Sequence, residues 1–193
     1  MKTGLYFGSF NPIHIGHLAI ANYMVEYSDL DELWLVISPQ NPLKKKSSLL
    51  NEYDRLKMVE LALKDTLKIK PCDIEFRLPK PSYTIDTLTY LKEKNPHKDF
   101  VLIAGTDNFK SFHKWKNYEE ILKHYRLYIY PRPGSDLGKY KDHENIELID
   151  APLMEISSSF VRKAIKDQKD IRYFLPDEVY HYIIKMNLYQ NIN

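Results

Sequence analysis

One cysteine, Cys72, in 193 residues excludes an internal disulfide and a four-thiolate metal cage, and it fits a chain kept in a reducing cytosol. No stretch approaches the roughly eighteen apolar residues of a membrane span. The opening MKTGLYFGSF lacks the apolar core of a secretory signal, so the expected setting is cytoplasmic. Charge of one sign is scarce as well: 28 Lys and Arg against 26 Asp and Glu leave +2, too small an excess to demand nucleic acid or an anionic membrane as partner. Any anion site must therefore be local. With six glycines, the chain carries no Gly/Ser linker, repeat or low-complexity tract, so residues 1–193 are expected to form a single domain. What is present is core material: 44% hydrophobic and 13% aromatic residues, at a mean hydropathy of −0.47.

Hydrophobic patterning alternates short apolar runs with segments of helical period. Gly4–Phe7, Leu33–Ile37, Phe100–Ala104 and Arg126–Tyr130 read as strands, with weaker ones at Ile74–Phe76 and near Ile146–Ile149. Helices are expected over Gly16–Glu26, Glu52–Lys64, Ser82–Lys94, from about Ser157, and over Asp177–Lys185. Strands separated by long helical crossovers favour an α/β fold, a doubly wound parallel sheet with helices on both faces and a small C-terminal helical part. The aromatic-rich stretch Tyr118–Tyr130 reads as core and surface tyrosines rather than a base-stacking platform.

The first loop, Gly8-Ser9-Phe10-Asn11-Pro12-Ile13-His14-Ile15-Gly16-His17, joins a strand to a helix at the carboxyl edge of such a sheet, where backbone N–H groups face anions. It lacks the Gly-Lys-Ser/Thr ending of a Walker loop, and Gly8 and Gly16 are spaced wrongly for the dinucleotide fingerprint. Two imidazoles at the entrance of a helix can instead donate N–H bonds to phosphoryl oxygens. The plainer alternative makes His14 a surface residue and His17 a helix cap. Zinc is disfavoured, because no Cys lies nearby and no carboxylate is spaced to complete a site, so no protein metal site is expected. A second signal lies far downstream. Ile156-Ser157-Ser158-Ser159-Phe160-Val161-Arg162 places hydroxyls at a helix start and a cation one turn inside. Two helix N-termini plus Arg162 are what a polyphosphate with developing negative charge needs.

Together the two segments resemble the nucleotidyltransferase superfamily marked by a His-x-Gly-His loop and a Ser-x-Thr/Ser-x-x-Arg segment, and within it the bacterial nicotinate mononucleotide adenylyltransferases. The resemblance runs over nearly the whole chain. It includes Asn41-Pro42-Leu43-Lys44 with Arg55-Leu56-Lys57-Met58, and Pro81-Ser82-Tyr83-Thr84 with Asp86-Thr87. It includes also Gly105-Thr106-Asp107 with Trp115, and Arg132-Pro133-Gly134. Three positions depart from the family: Asn11 stands where Asp is usual, Leu43 where His is frequent and Ser159 where Thr is common.

The resemblance implies a Rossmann-like fold and transfer of AMP from ATP to nicotinate mononucleotide, with Mg²⁺ carried in by ATP. It implies His14, His17 and Arg162 as catalytic residues, His17 donating to the α-phosphoryl oxygens. Lys44 and Arg162 would clamp the β- and γ-phosphates, and Gly8, Ser9 and Phe10 would form the loop beneath them. Gly105, Asp107, Ile156 and Ser157, with Ser158 and Ser159, would surround the rest of ATP. Asp107 is a candidate acceptor for a ribose hydroxyl and equally a candidate helix cap. Trp115 would stack on the nicotinate ring, and the helix start at Tyr83 and Thr84 would take its carboxylate. A homo-oligomer is compatible with all of this. Rival readings are the sister phosphopantetheine adenylyltransferases, usually shorter and without need of Pro81–Thr84 or Trp115, and a nucleotide-binding regulator without catalysis.

Overall fold

The computed structural model describes residues 1–40 and 49–190. Six parallel strands, Lys2–Gly8 (β1), Glu32–Ile37 (β2), Ile69–Cys72 (β3), Asp99–Gly105 (β4), Arg126–Tyr130 (β5) and Ile146–Leu148 (β6), form one sheet in the order β3-β2-β1-β4-β5-β6. The helices are Ile15–Tyr27 (α1), Glu52–Ala62 (α2), Thr84–Lys94 (α3), Tyr118–His124 (α4), Ser158–Lys166 (α5) and Asp177–Lys185 (α6).

Period-two side-chain alternation divides the core between the two faces of the sheet. Leu5, Leu102 and Ile129 belong with Leu88 and Leu91 of α3 and Ile121 of α4. Tyr6, Ile103 and Tyr130 belong with Met24 of α1, Met58 of α2, Val161 of α5 and Val179 of α6. Helices thus cover both faces, as the expected doubly wound fold requires. The order of strand addition reverses between β1 and β4, and the crevice at their carboxyl ends is where such sheets bind ligands.

Two elements differ from expectation. Ile74–Phe76 lies in a 3-10 turn, Ile74–Arg77, and the strand precedes it at Ile69–Cys72. That strand contains Pro71, which a central strand would reject. Here β3 pairs only with β2 at the sheet edge, where a missing N–H is tolerated. The second is α4, a short helix inside the aromatic stretch and entered through Asn117 in the left-handed region, at φ 49°. Cys72 is half-buried, and burial pushes its thiol up to about 11, far from thiolate chemistry.

Candidate active site

The loop after β1 is held from beneath by one cation. Arg55 of α2 is fully buried and donates to four backbone carbonyls: Ser9 at 2.6 Å, Ser38 at 2.7 Å, Pro39 at 3.0 Å and Leu50 at 3.1 Å. These bonds tie the carboxyl ends of β1 and β2 to the start of α2. Phe10 turns the loop back with a φ of 45°, and its ring packs over Gly8, where a Cβ would lie 2.7 Å from it. Gly8 is therefore required by close approach.

His14 is the residue preceding α1 and is buried, not a surface residue. Burial first, and the charge of Arg132 second, lower its pKa to about 4, so it is neutral at physiological pH. Its Nδ1 is buried and has no hydrogen-bond partner among the described residues. The His17 ring stacks on it at 3.7 Å, and His17 Nδ1 accepts the main-chain N–H of His14 at 3.3 Å. With Nδ1 accepting, the neutral ring carries its proton on Nε2 as a donor.

The serine segment closes on this loop. Ser157 caps α5 by accepting the Phe160 N–H, Ser158 Oγ donates to the Pro12 carbonyl at 2.9 Å, and Arg162 donates to the Asn11 carbonyl at 2.8 Å and to Ser159 Oγ at 3.2 Å. His17 and Arg162 line one cavity of about 750 Å³, together with Gly8, Ser9, Phe10, His14, Ile156 and the three serines. Lys44 lies outside the described residues.

Gly105 ends β4 just behind the cavity wall. A Cβ there would meet Asp107 Oδ1 at 2.5 Å and Arg132 Cγ at 2.8 Å, so only glycine lets these two side chains converge. Asp107 is exposed and lies within the turn Thr106–Lys110, whose capping position is Gly105; it is not the cap. Arg132 donates to the Met154 carbonyl at 2.7 Å, linking the end of β5 to the strand of chain that leads into α5.

At the other end of the cavity α3 begins at Thr84, with Tyr83 before it in extended conformation. Glu75 anchors this start. It is buried and accepts from Ser82 Oγ and Thr87 Oγ1, both at 2.8 Å; burial raises its pKa while those two bonds oppose the rise. Trp115 is half-buried against Phe112, ring centroids 5.2 Å apart, and lines the cavity with Tyr83 and Thr84. Lys116 spans the rim, bonded to Asp86 at 2.8 Å and lying over the Tyr83 ring.

Sequence reasoning missed several wall residues. Tyr6 and Tyr130 lie side by side in the wall with hydroxyls 3.0 Å apart. Neither strand residue had any mark beyond hydrophobic period. Arg132 was visible as part of an Arg-Pro-Gly loop but without a role, and Glu75 was hidden in what read as a strand. Among the described residues no group of three or more His, Cys, Asp or Glu is placed to hold a metal ion.

The sequence pattern of the cytidylyltransferase-like family matches residues 5–164. A protein of Cytophaga hutchinsonii named probable nicotinate-nucleotide adenylyltransferase is 54% identical, the match covering 99% of this chain and all of that one. One of Flavobacterium johnsoniae with the same name is 55% identical, covering 98% and 100%. Among solved structures, Plasmodium falciparum nicotinic acid mononucleotide adenylyltransferase complexed with NaAD superposes with a TM-score of 0.83 over 100% of this chain and 98% of that one. At 24% identity it testifies to the fold.

Proposed function

This chain belongs to the cytidylyltransferase-like family, and on that premise we propose that its cavity transfers the adenylyl group of ATP to the 5′-phosphate of nicotinate mononucleotide. The products are nicotinate adenine dinucleotide and pyrophosphate. The names of relatives more than half identical over almost their full length support the reaction. The observation that carries the residue-level reading is the meeting of His17 and Arg162, from opposite ends of the sequence, in one cavity.

The attacking group is already a phosphate anion, so neither a protein nucleophile nor a strong base is needed. One oxygen of that phosphate forms a bond to the α-phosphorus as the bond to the β-bridging oxygen breaks, and pyrophosphate takes the electron pair. Catalysis is then positioning and charge stabilisation. His17 donates from Nε2 to an α-phosphoryl oxygen, and His14, neutral and stacked against it, backs the ring and offers its own edge to the phosphates. Arg162, with Lys44, takes the β- and γ-phosphates. Gly8, Ser9 and Phe10 shape the loop, Ser158 and Ser159 hold Arg162 and the loop in register, and Gly105, Ile156 and Ser157 surround the adenosine, whose ribose hydroxyl meets Asp107. The N–H groups beginning α3 at Tyr83 and Thr84 receive the nicotinate carboxylate, and Trp115 its ring.

Mg²⁺ in this reading is held by the triphosphate oxygens and water rather than by a protein cage, and it neutralises polyphosphate charge when bound. In this reading residues 1–193 act as a single nucleotidyltransferase domain, and a homo-oligomer is compatible with it. No described helix is long and apolar enough to cross a membrane, and the single cysteine suits a cytoplasmic enzyme.

The test is pyrophosphate release from ATP, run in parallel with nicotinate mononucleotide, nicotinamide mononucleotide and phosphopantetheine. The highest kcat/KM is expected with the first. Release with phosphopantetheine alone would transfer the chain to the sister enzymes, and ATP binding without any dinucleotide would make it a regulator.

A further inference from the structure

The segment following α6 folds back through two left-handed residues that are not glycine, Asn187 at φ 50° and Tyr189 at φ 68°. A bulky side chain in that region is costly, and such conformations persist only where surrounding contacts hold them. The contacts here are those of the Tyr189 ring, which is 2% exposed and packed in the core between the helices on one face of the sheet. At its tip the hydroxyl donates to Asn11 Oδ1 at 3.0 Å. Asn11, itself 3% exposed, accepts the Leu50 N–H on the same oxygen, and its carbonyl receives Arg162. The charges of Arg55 and Arg162 both bear on the Tyr189 hydroxyl. One phenol thus bonds the asparagine whose carbonyl receives the cavity-facing cation, within the field of both guanidinium groups.

We propose that Tyr189 is a positioning residue for triphosphate: its hydroxyl fixes the Asn11 side chain, and with it the Asn11 main-chain carbonyl that receives Arg162 and sets its pose toward the β- and γ-phosphates. Tyr189 does not line the cavity and touches no substrate. The Asn11 amide is neutral, so its orientation comes from hydrogen bonding. The amide oxygen accepts from Tyr189 and Leu50, which fixes which way the amide faces. Removing the phenol oxygen leaves that acceptor short of a buried donor while changing almost no volume. This inference rests on the ATP reading above and predicts something that reading alone does not: a residue outside the cavity that discriminates ATP from AMP.

The experiment is ligand binding by titration calorimetry with ATP·Mg²⁺ and with AMP, on the full chain and its Tyr189→Phe variant, with thermal unfolding of each as the fold control. Tyr189→Phe is expected to weaken ATP about five- to tenfold, the effect of one buried hydrogen bond, and to leave AMP affinity unchanged. In a double-mutant cycle, Asn11→Ala should remove most of the effect of Tyr189→Phe, because the two act in series. Equal losses for ATP and AMP, or a lowered melting temperature with both affinities intact, would overturn the proposal and leave Tyr189 as a packing residue. Additive effects of the two substitutions would overturn the route through Asn11. Absence of ATP binding by the unaltered chain would instead sink the ATP reading, an outcome distinct from any of these.

Discussion

Around the histidine loop each of these fixing contacts has a buried group on at least one side: Arg55 to four carbonyls, half-buried Ser158 to Pro12, Tyr189 to Asn11, and the His14 ring against half-buried His17. Around α3 and Trp115 only the bonds of Glu75 with Ser82 and Thr87 are of that kind. The rest is a rim pair, Lys116 with Asp86, both side chains close to half exposed, and a half-buried indole. The difference follows the chemistry proposed for each end. Donors aimed at charge that develops during reaction must not reorganise when it appears, so they are fixed in advance in a dry setting. A ring and its carboxylate need only a flat surface and a helix start, and the wall that receives them can remain in contact with water.

Substitutions can break this comparison. The largest effect is expected at the buried end: His17→Ala should lower kcat by about 10²- to 10³-fold with a much smaller change in KM for nicotinate mononucleotide, read in steady-state pyrophosphate release. Trp115→Ala should act oppositely, raising KM for that substrate by roughly tenfold, the scale of one lost ring contact, while KM for ATP stays put. If Trp115→Ala cut kcat as deeply as His17→Ala, the division between the two ends would be gone.

The smallest effect is on stability. His14 has a pKa of about 4 when folded against an ordinary 6.5, so the unfolded chain binds its proton first as pH falls. Its contribution is complete above about 6.5 and is lost progressively toward 4. Urea midpoints measured across that range should fall with pH, and His14→Asn should flatten the slope. An unchanged slope would mean that other groups set it.

Legibility in the sequence followed the same division. The doubly wound sheet was readable because four of the six strands, β1, β2, β4 and β5, centre on apolar runs, and α6 was expected over the very residues it occupies, Asp177–Lys185. Strand β3 was not, because Pro71 interrupts it and only its place at the sheet edge makes that acceptable. Helix α4 has seven residues, too short for a period to emerge from its aromatic surroundings. Site residues on loops and helix starts carried signals of type and spacing: two histidines, a serine cluster, a tryptophan among polar neighbours. Residues that act from behind the wall carried no mark of their role. Arg55 stood only within the Arg55-Leu56-Lys57-Met58 resemblance, and the structure shows it buried while Lys57 lies on the surface. Tyr189 is one of fifteen tyrosines, and its distinction is a partner 178 positions away.

That separation bears on how the molecule comes into being. A ribosome makes Asn11 among the first residues and Tyr189 long after, so the central strand and its loop exist during nearly all of synthesis without the hydroxyl that completes them. The Asn11 side chain gains this donor only when the stretch beyond α6 has emerged and docked.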